Sequence, residues 1–473
     1  MTRQTNVAAA GAYALGGLVA LVIACDLLWM PIQVADALGE ILDASRSPSV
    51  WASFTDKFGT EAYLRPMRIA QVKALFDLAH GHYWLAYRGF HAALLVAGVL
   101  LFVRALRVAT ANDFAAAAFA LAVLVGLHTF RGTVQEAFPI NHFLEIAVLC
   151  LLTLNLARLR GGPWADVAAA ATFVVAVLTL ESGLLVWVVA VACWLVGWRG
   201  ISSRGVAVMT VLLCGYFYLR FVHLGTGVPT LAERSAGFGL EMLDVPELER
   251  RFGANPLPFQ AYNVTTSFMS VLFSEPQSGV FVAVRDWLAG AGALPRVVVP
   301  LATSVVTTAL IAWTAIRRLK AQEPRDDTAR LLAVFAAVLA ANAAISFAYT
   351  KDDIMSTAGV FYALAAFAAA RELLAHAAHV RPRAAVAFAL LLGVLSLGWS
   401  VRAVGVHRVL RSQAAKHQID WVVLPSALRR TGTWPADGGQ QQLITRLRAD
   451  AVALRVPNTR AAEPVWMGRL WRE

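Results

Sequence analysis

Eleven apolar runs limit what this chain can fold into. They lie at roughly 8–30, 84–104, 114–129, 142–157, 164–180, 183–198, 205–222, 294–316, 331–350, 355–374 and 384–404. Each is long enough to cross, or nearly cross, a bilayer core of about 30 Å. Of the 473 residues, 58% are hydrophobic and only 15% charged, a balance outside that of soluble globular chains. The expected fold is therefore an all-α polytopic membrane protein with about eleven transmembrane helices. The first run is too long for the core of a signal peptide and lacks a small-residue cleavage site, so it reads as a retained span.

The net charge of +11 would suggest a nucleic-acid partner in a soluble protein. Here the basic residues are topological. With a cytoplasmic N-terminus, the inside loops hold Arg104 and Arg107, Arg158 and Arg160, Arg199 and Arg204, the loop "RRLKAQEPRDDTAR" at 317–330, and Arg371, Arg381 and Arg383. Every short inside loop is then basic, as the positive-inside rule requires. The outside holds 31–83, the turn 130–141, the segment 223–293 and a tail at 405–473, which reads as a small folded appendage to a membrane domain of residues 1–404. The four cysteines, Cys25, Cys150, Cys193 and Cys214, all fall inside apolar runs, so neither a disulfide framework nor a zinc cluster is suggested.

Glu181 stands in the middle of "VVAVLTLESGLLVWVVAV". As one helix, 164–198 would measure about 50 Å, too long for a span and basic at both ends. Two antiparallel helices turning at "LESG", with Gly183 permitting the turn, meet both constraints. They put Glu181 at the outer tip of a hairpin, where a carboxylate at membrane depth needs a partner; Arg131 or Lys351 is positioned by sequence to supply one.

Other polar residues gather in the outer segments. Asp36, Glu40 and Asp43 recur at helical spacing after the first span and share one helix face. Asp36 is held nearest the membrane surface. In "YLRPMR" at 63–68, Pro66 suits a first helical position and Arg65 is pushed out of helical geometry. A helix N-terminus flanked by Arg65 and Arg68 can bind phosphate, or the arginines can meet lipid headgroups. His80 and His82 have a poor spacing for a shared metal. The turn "LHTFRGTVQEAFPINHFLE" compresses His128, Arg131, Glu136, Asn141, His142 and Glu145 between two spans, and "AYTKDDIMSTAG" places Lys351, Asp352 and Asp353 in another. Such turns serve solubility or line a polar cavity. The stretch "YNVTTSFMSVLFSEPQSGVFVAVRDW" reads as re-entrant or amphipathic, and Asn263-Val-Thr265 within it is a formal glycosylation sequon.

The order of these features resembles the GT-C superfamily of integral-membrane glycosyltransferases, particularly bacterial relatives of the protein O-mannosyltransferases. The matching positions run over roughly 10–375: Asp36 soon after the first span, "YLRPM" at 63–67, and His91 near the start of the second. His128 and Glu136–Ala137 match the turn between spans three and four without its proline, and "TLESG" matches a hairpin tip with Leu180 in place of a lysine. "YTKDDIMSTAG" is similar to a stretch at the head of a late span.

The resemblance implies transfer of a sugar from a polyprenyl-phosphate donor to an acceptor hydroxyl on the outer face of a bacterial plasma membrane. The acceptor would be a glycan, lipid or protein, and no nucleic acid would be involved. Asp36 would be the base. Arg65 and Lys351 would hold phosphate, with Arg68, His91, Arg131, Asp352 and Asp353 completing the substrate site, while Glu136 and Glu181 would orient sugar hydroxyls or the arginines. The number of acids leaves room for a divalent metal, and no spacing demands one. Two other readings share these features. A polymerase or ligase of the O-antigen type would use an Arg-rich outer loop, here Arg234, Arg250 and Arg251. A lipid-linked sugar flippase would more often show internal symmetry and charges at the midplane.

Overall fold

The computed structural model describes residues 3–30, 37–58, 64–134, 140–225, 244–273, 287–290, 295–321, 326–380 and 382–418. Among the described residues the regular elements are helices. The first half of the chain comprises α1 (Arg3–Trp29), α2 (Ala37–Arg46), α3 (Val50–Thr55), α4 (Pro66–Ala79), α5 (Tyr83–Leu106), α6 (Ala111–Gly126), α7 (Arg131–Val134), α8 (His142–Ala157), α9 (Pro163–Thr179), α10 (Leu184–Leu195) and α11 (Ser203–Phe217). The remainder comprises α12 (Val245–Phe252), α13 (Pro256–Phe273), α14 (Pro295–Ala321), α15 (Asp327–Ile345), α16 (Ser356–Val380) and α17 (Pro382–Gln418).

Among the described residues seven helical spans are long and apolar enough to cross a membrane, or eight if one bent pair counts as a single span. That pair is Ala111–Gly126 and His128–Val134, bent by 63°, and three shorter apolar helices cover His142–Ala157, Pro163–Thr179 and Glu181–Leu195. The chain is an all-α polytopic membrane protein, and the eleven expected spans are helical, but among the described residues only seven or eight reach spanning length, the runs at 142–157, 164–180 and 183–198 forming shorter helices. α17 differs in extent, continuing past position 404 to Gln418.

Local chemistry sets the helix ends. Thr110 and Asp113 form a reciprocal capping box at the start of α6, satisfying two backbone N–H groups that the helix cannot. The Asn141 side chain accepts from Leu144 N at 2.9 Å to start α8, and proline occupies the first turn of α4 and α9, where its missing N–H costs nothing. α16 is the central helix, with every residue from Met355 to Ala370 buried. Its alanine-rich face lets α6, α15 and α17 approach closely, and small residues are what close helix packing in a membrane requires.

The helices carry two different sets of polar residues to their two ends. At one end Arg158 donates to Ala105 O, pairs with Asp327 and lies over the Trp198 ring, 4.7 Å from its centroid. Nearby, Arg371 donates to Thr328 Oγ1 at 2.8 Å, and Asp166 accepts from Ser202 N and Oγ at 2.7 and 2.6 Å. Arg158 closes α8 and Ser202 opens α11, while Asp166, Asp327, Thr328 and Arg371 lie on the helices that lead into or out of the short basic turns. α9 begins here and ends beside Glu181 at the other end, which also receives α4, the bend after α6, the start of α8, the end of α11 and the start of α16.

Candidate functional site

The carboxylate of Glu181 is met by two arginines from distant parts of the chain. Arg65 precedes Pro66 with φ −128° and ψ 47°, outside the α region that a following proline disfavours, and its side chain reaches Glu181 from the N-terminus of α4. Its Nε lies 3.0 and 3.1 Å from the two carboxylate oxygens of Glu181, and Nη2 lies 2.6 Å from Oε2. Arg220 approaches from the other side, Nη1 3.4 Å from Oε1, while donating to Tyr216 Oη at 2.8 Å. Arg220 sits on a π-helical stretch, Tyr218–His223, that extends α11; such widened turns often occur at functional positions. The carboxylate thus meets Arg65 and Arg220 rather than the expected Arg131 or Lys351, because α4 and α11 both lie against α9, which leads into the hairpin tip, whereas the segments carrying Arg131 and Lys351 meet one another at α7 and the turn before α16.

The hairpin itself forms as expected, with α9 and α10 joined by a single turn at Glu181–Gly183. The part played by Gly183 differs. Its φ is −58° and ψ −20°, open to any residue, but a Cβ there would lie 2.1 Å from Ala176 O and 2.2 Å from Ala176 C. Glycine is required by the approach of the turn to α9 rather than by a left-handed backbone.

One turn along α4, Arg68 is buried and pairs with Glu40 on α2. Burial holds the Arg68 guanidinium below its ordinary pKa, and the Glu40 carboxylate offsets only part of that. The next turn places Gln71 Nε2 2.6 Å from Glu145 Oε1, and the other Glu145 oxygen is 3.2 Å from His142 Nδ1. Of the three acids expected on one face, Glu40 turns inward to Arg68 while Asp43 is exposed; Asp36 lies outside the described residues.

The third group joins the bend after α6 to the turn before α16. His128 Nε2 is 3.6 Å from Asp352 Oδ1; Arg131, Lys351 and His128 all act electrostatically on Asp353. The two segments touch at backbone level. A Cβ on Gly132 would lie 2.7 Å from Asp353 Cα, and Ser356 Oγ donates to Thr129 O at 2.9 Å. His91 is fully buried on α5, with Nε2 2.9 Å from Thr133 O, so it braces this bend from beneath. Asn141 Nδ2 donates to Gly132 O at 3.0 Å, tying the bend to the start of α8, which carries His142 and Glu145 to the second group. Glu136 lies outside the described residues.

Other sequence features fall elsewhere. Asn263 of the sequon is fully buried on α13 and donates to Phe347 O at 3.1 Å, which closes it to glycosylation in this fold. Arg250 and Arg251 on α12 pair with Glu247 on the same helix, and Arg234 lies outside the described residues. His80, in left-handed backbone geometry (φ 45°), ends α4. Among the described residues no group of three His, Cys, Asp or Glu is arranged to hold a metal ion. Arg220, Gln71 and Tyr216 join the site without any motif around them; for Arg220, the signal in the chain is a cation inside the apolar stretch "YFYLRFVH".

Fold and site together define a polytopic α-helical membrane protein in which charged side chains from loops far apart in sequence converge at one end of the bundle. No protein-family model matches the chain, and no curated protein matches it. Among solved structures the chain is similar to ArnT from Cupriavidus metallidurans in the apo state, with 18% sequence identity and a TM-score of 0.44 over 87% of this chain and 77% of that one.

Proposed function

We propose that this protein is a membrane glycosyltransferase that moves a sugar from a polyprenyl-phosphate donor to an acceptor hydroxyl, with the charged end of the bundle facing away from the cytoplasm. The observation that carries this reading is the convergence of Arg65 and Arg220 on Glu181 beside the N-terminus of α4. Two guanidinium groups against one carboxylate carry a net positive charge. The first turn of a helix adds N–H groups and the positive end of its dipole, an arrangement suited to phosphate. The basic turns at the other end fit a cytoplasmic face, and the apolar sides of the helices suit a prenyl chain.

In this reading Asp36 takes the proton from the acceptor hydroxyl, whose oxygen bonds to the anomeric carbon as the bond from that carbon to the phosphate oxygen breaks. The leaving polyprenyl phosphate gains charge, and Arg65 and Arg220 stabilise it as it forms. Glu181 holds both arginines in place beforehand, which lowers the reorganisation needed at the reacting centre. Lys351, Asp352, Asp353, Arg131 and His128 form a second charged wall of the same end.

The test is binding of undecaprenyl phosphate to the purified full-length protein in lipid nanodiscs. Wild type should bind it, and Arg65→Ala with Arg220→Ala should weaken binding by about a hundredfold, counting about tenfold per charge-assisted contact. Equal binding by wild type and the double variant would overturn the reading.

A further inference from the structure

Beside the arginine pair lies a set of hydrogen-bond acceptors that the phosphate site does not use. Glu40 Oε2, Gln71 Oε1 and His142 Nε2 are all buried, and each has no hydrogen-bond partner among the described residues. Their neighbours fix their chemistry. Gln71 faces the Glu145 carboxylate at 2.6 Å, and only its NH2 can donate to a carboxylate, which leaves its Oε1 as an acceptor. His142 faces the other oxygen of Glu145 through Nδ1; a proton on Nδ1 makes Nε2 an acceptor in the neutral ring, an assignment drawn from the network. Glu40 gives one oxygen to Arg68 and keeps the other. The three come from α2, α4 and α8, and His142 lies within electrostatic range of Glu40, Arg68 and Glu145.

A buried acceptor without a donor costs free energy, and three from separate elements are hard to explain as packing. A ligand that satisfies them must bring several O–H donors close together, as the neighbouring hydroxyls of a sugar ring do. An anion is disfavoured, since Glu40 is a carboxylate and Gln71 and His142 both adjoin that of Glu145. We propose that Glu40, Gln71 and His142 form the subsite that recognises the sugar hydroxyls of the donor, with Gln71 about two helix turns along α4 from the phosphate-binding Arg65. This rests on the glycosyltransferase reading. It adds that selection among sugars resides on α2, α4 and the start of α8, with Glu145 acting as a positioning residue for Gln71 and His142.

The experiment compares, in nanodiscs, the binding of bare undecaprenyl phosphate with that of undecaprenyl phosphate bearing each of several neutral hexoses, a pentose and an amino sugar. Wild type should bind at least one sugar-bearing lipid more tightly than the bare lipid. Gln71→Met and His142→Phe should each reduce that gain by about tenfold while leaving binding of the bare lipid unchanged. Thermal unfolding checks each variant; if His142→Phe fails to fold, Gln71→Met carries the test. A gain that persists in the folded variants overturns the subsite, as does equal loss for bare and sugar-bearing lipids. If wild type binds the bare lipid and no sugar in the panel improves on it, the subsite falls and the phosphate site stands. If wild type binds none of the lipids, both fall.

Discussion

Arg65 closes a two-pronged ion pair on Glu181, with Nη2 2.6 Å from Oε2, across 116 positions of sequence. The pair fastens the start of α4, in the loop after the first span, to the tip of the α9–α10 hairpin. Both side chains are partly buried, at 28% and 19% exposure, so the pair lies between the surface case, worth little, and the buried case, costly to break.

Removing the carboxylate should therefore cost both stability and order. Glu181→Ala leaves Arg65 and Arg220 facing each other without the charge between them. We expect a loss of about 1–3 kcal/mol, read as a lower Tm in detergent. Arg65→Ala combined with Glu181→Ala should cost less than the sum of the two single changes. Additive losses would show that the pair does not couple α4 to the hairpin.

Asp36→Asn should abolish sugar transfer while expression and Tm stay at wild-type levels. General-base catalysis contributes about 10²–10⁴-fold, so a fall of at least a hundredfold in transfer rate is expected. An active Asp36→Asn protein would remove the base from Asp36 and turn attention to the other acids of the same end, beginning with Glu40 and Asp352.

The two ends of the bundle should lie on opposite sides of the membrane. A reporter joined after residue 160 should register the cytoplasm and one joined at residue 181 the outside. The reverse pattern would place Arg65, Arg220 and Glu181 on the cytoplasmic face and remove the basis for an outward-facing donor site.

Gly183→Ala should destabilise the protein although its backbone torsions suit alanine. The added Cβ would meet the Ala176 carbonyl at 2.1 Å, so α9 and the turn must move apart. Overpacking of this kind costs about 1–3 kcal/mol, and a Tm equal to wild type would show that the turn is looser than the structure places it.

How much of this was legible beforehand follows from how local each feature is. The spans could be read because a bilayer imposes length and apolarity on each helix separately. Pro66 marked the start of α4, and the arginines flanking 164–198 forced a hairpin with Glu181 at its tip, all from neighbouring residues. The two charged turns, around His128–Glu136 and Lys351–Asp353, were also visible as places where polar groups crowd between spans. That they pack on one another through Gly132 and Asp353 was not.

The sequence by itself determined a polytopic helical protein, its spans, and the end of the bundle at which most of its chemistry-bearing residues gather. The tertiary structure decided the partnerships: Arg65 and Arg220 rather than Arg131 or Lys351 for Glu181, Arg68 for Glu40, and Glu145 for Gln71 and His142. It also turned Asn263 from a glycosylation sequon into a buried donor to Phe347. The physical reason is the same in each case. Hydropathy and turn chemistry act over a few residues and leave their mark in the chain, whereas an ion pair depends on which helices lie side by side, and that is set by the packing of whole apolar faces.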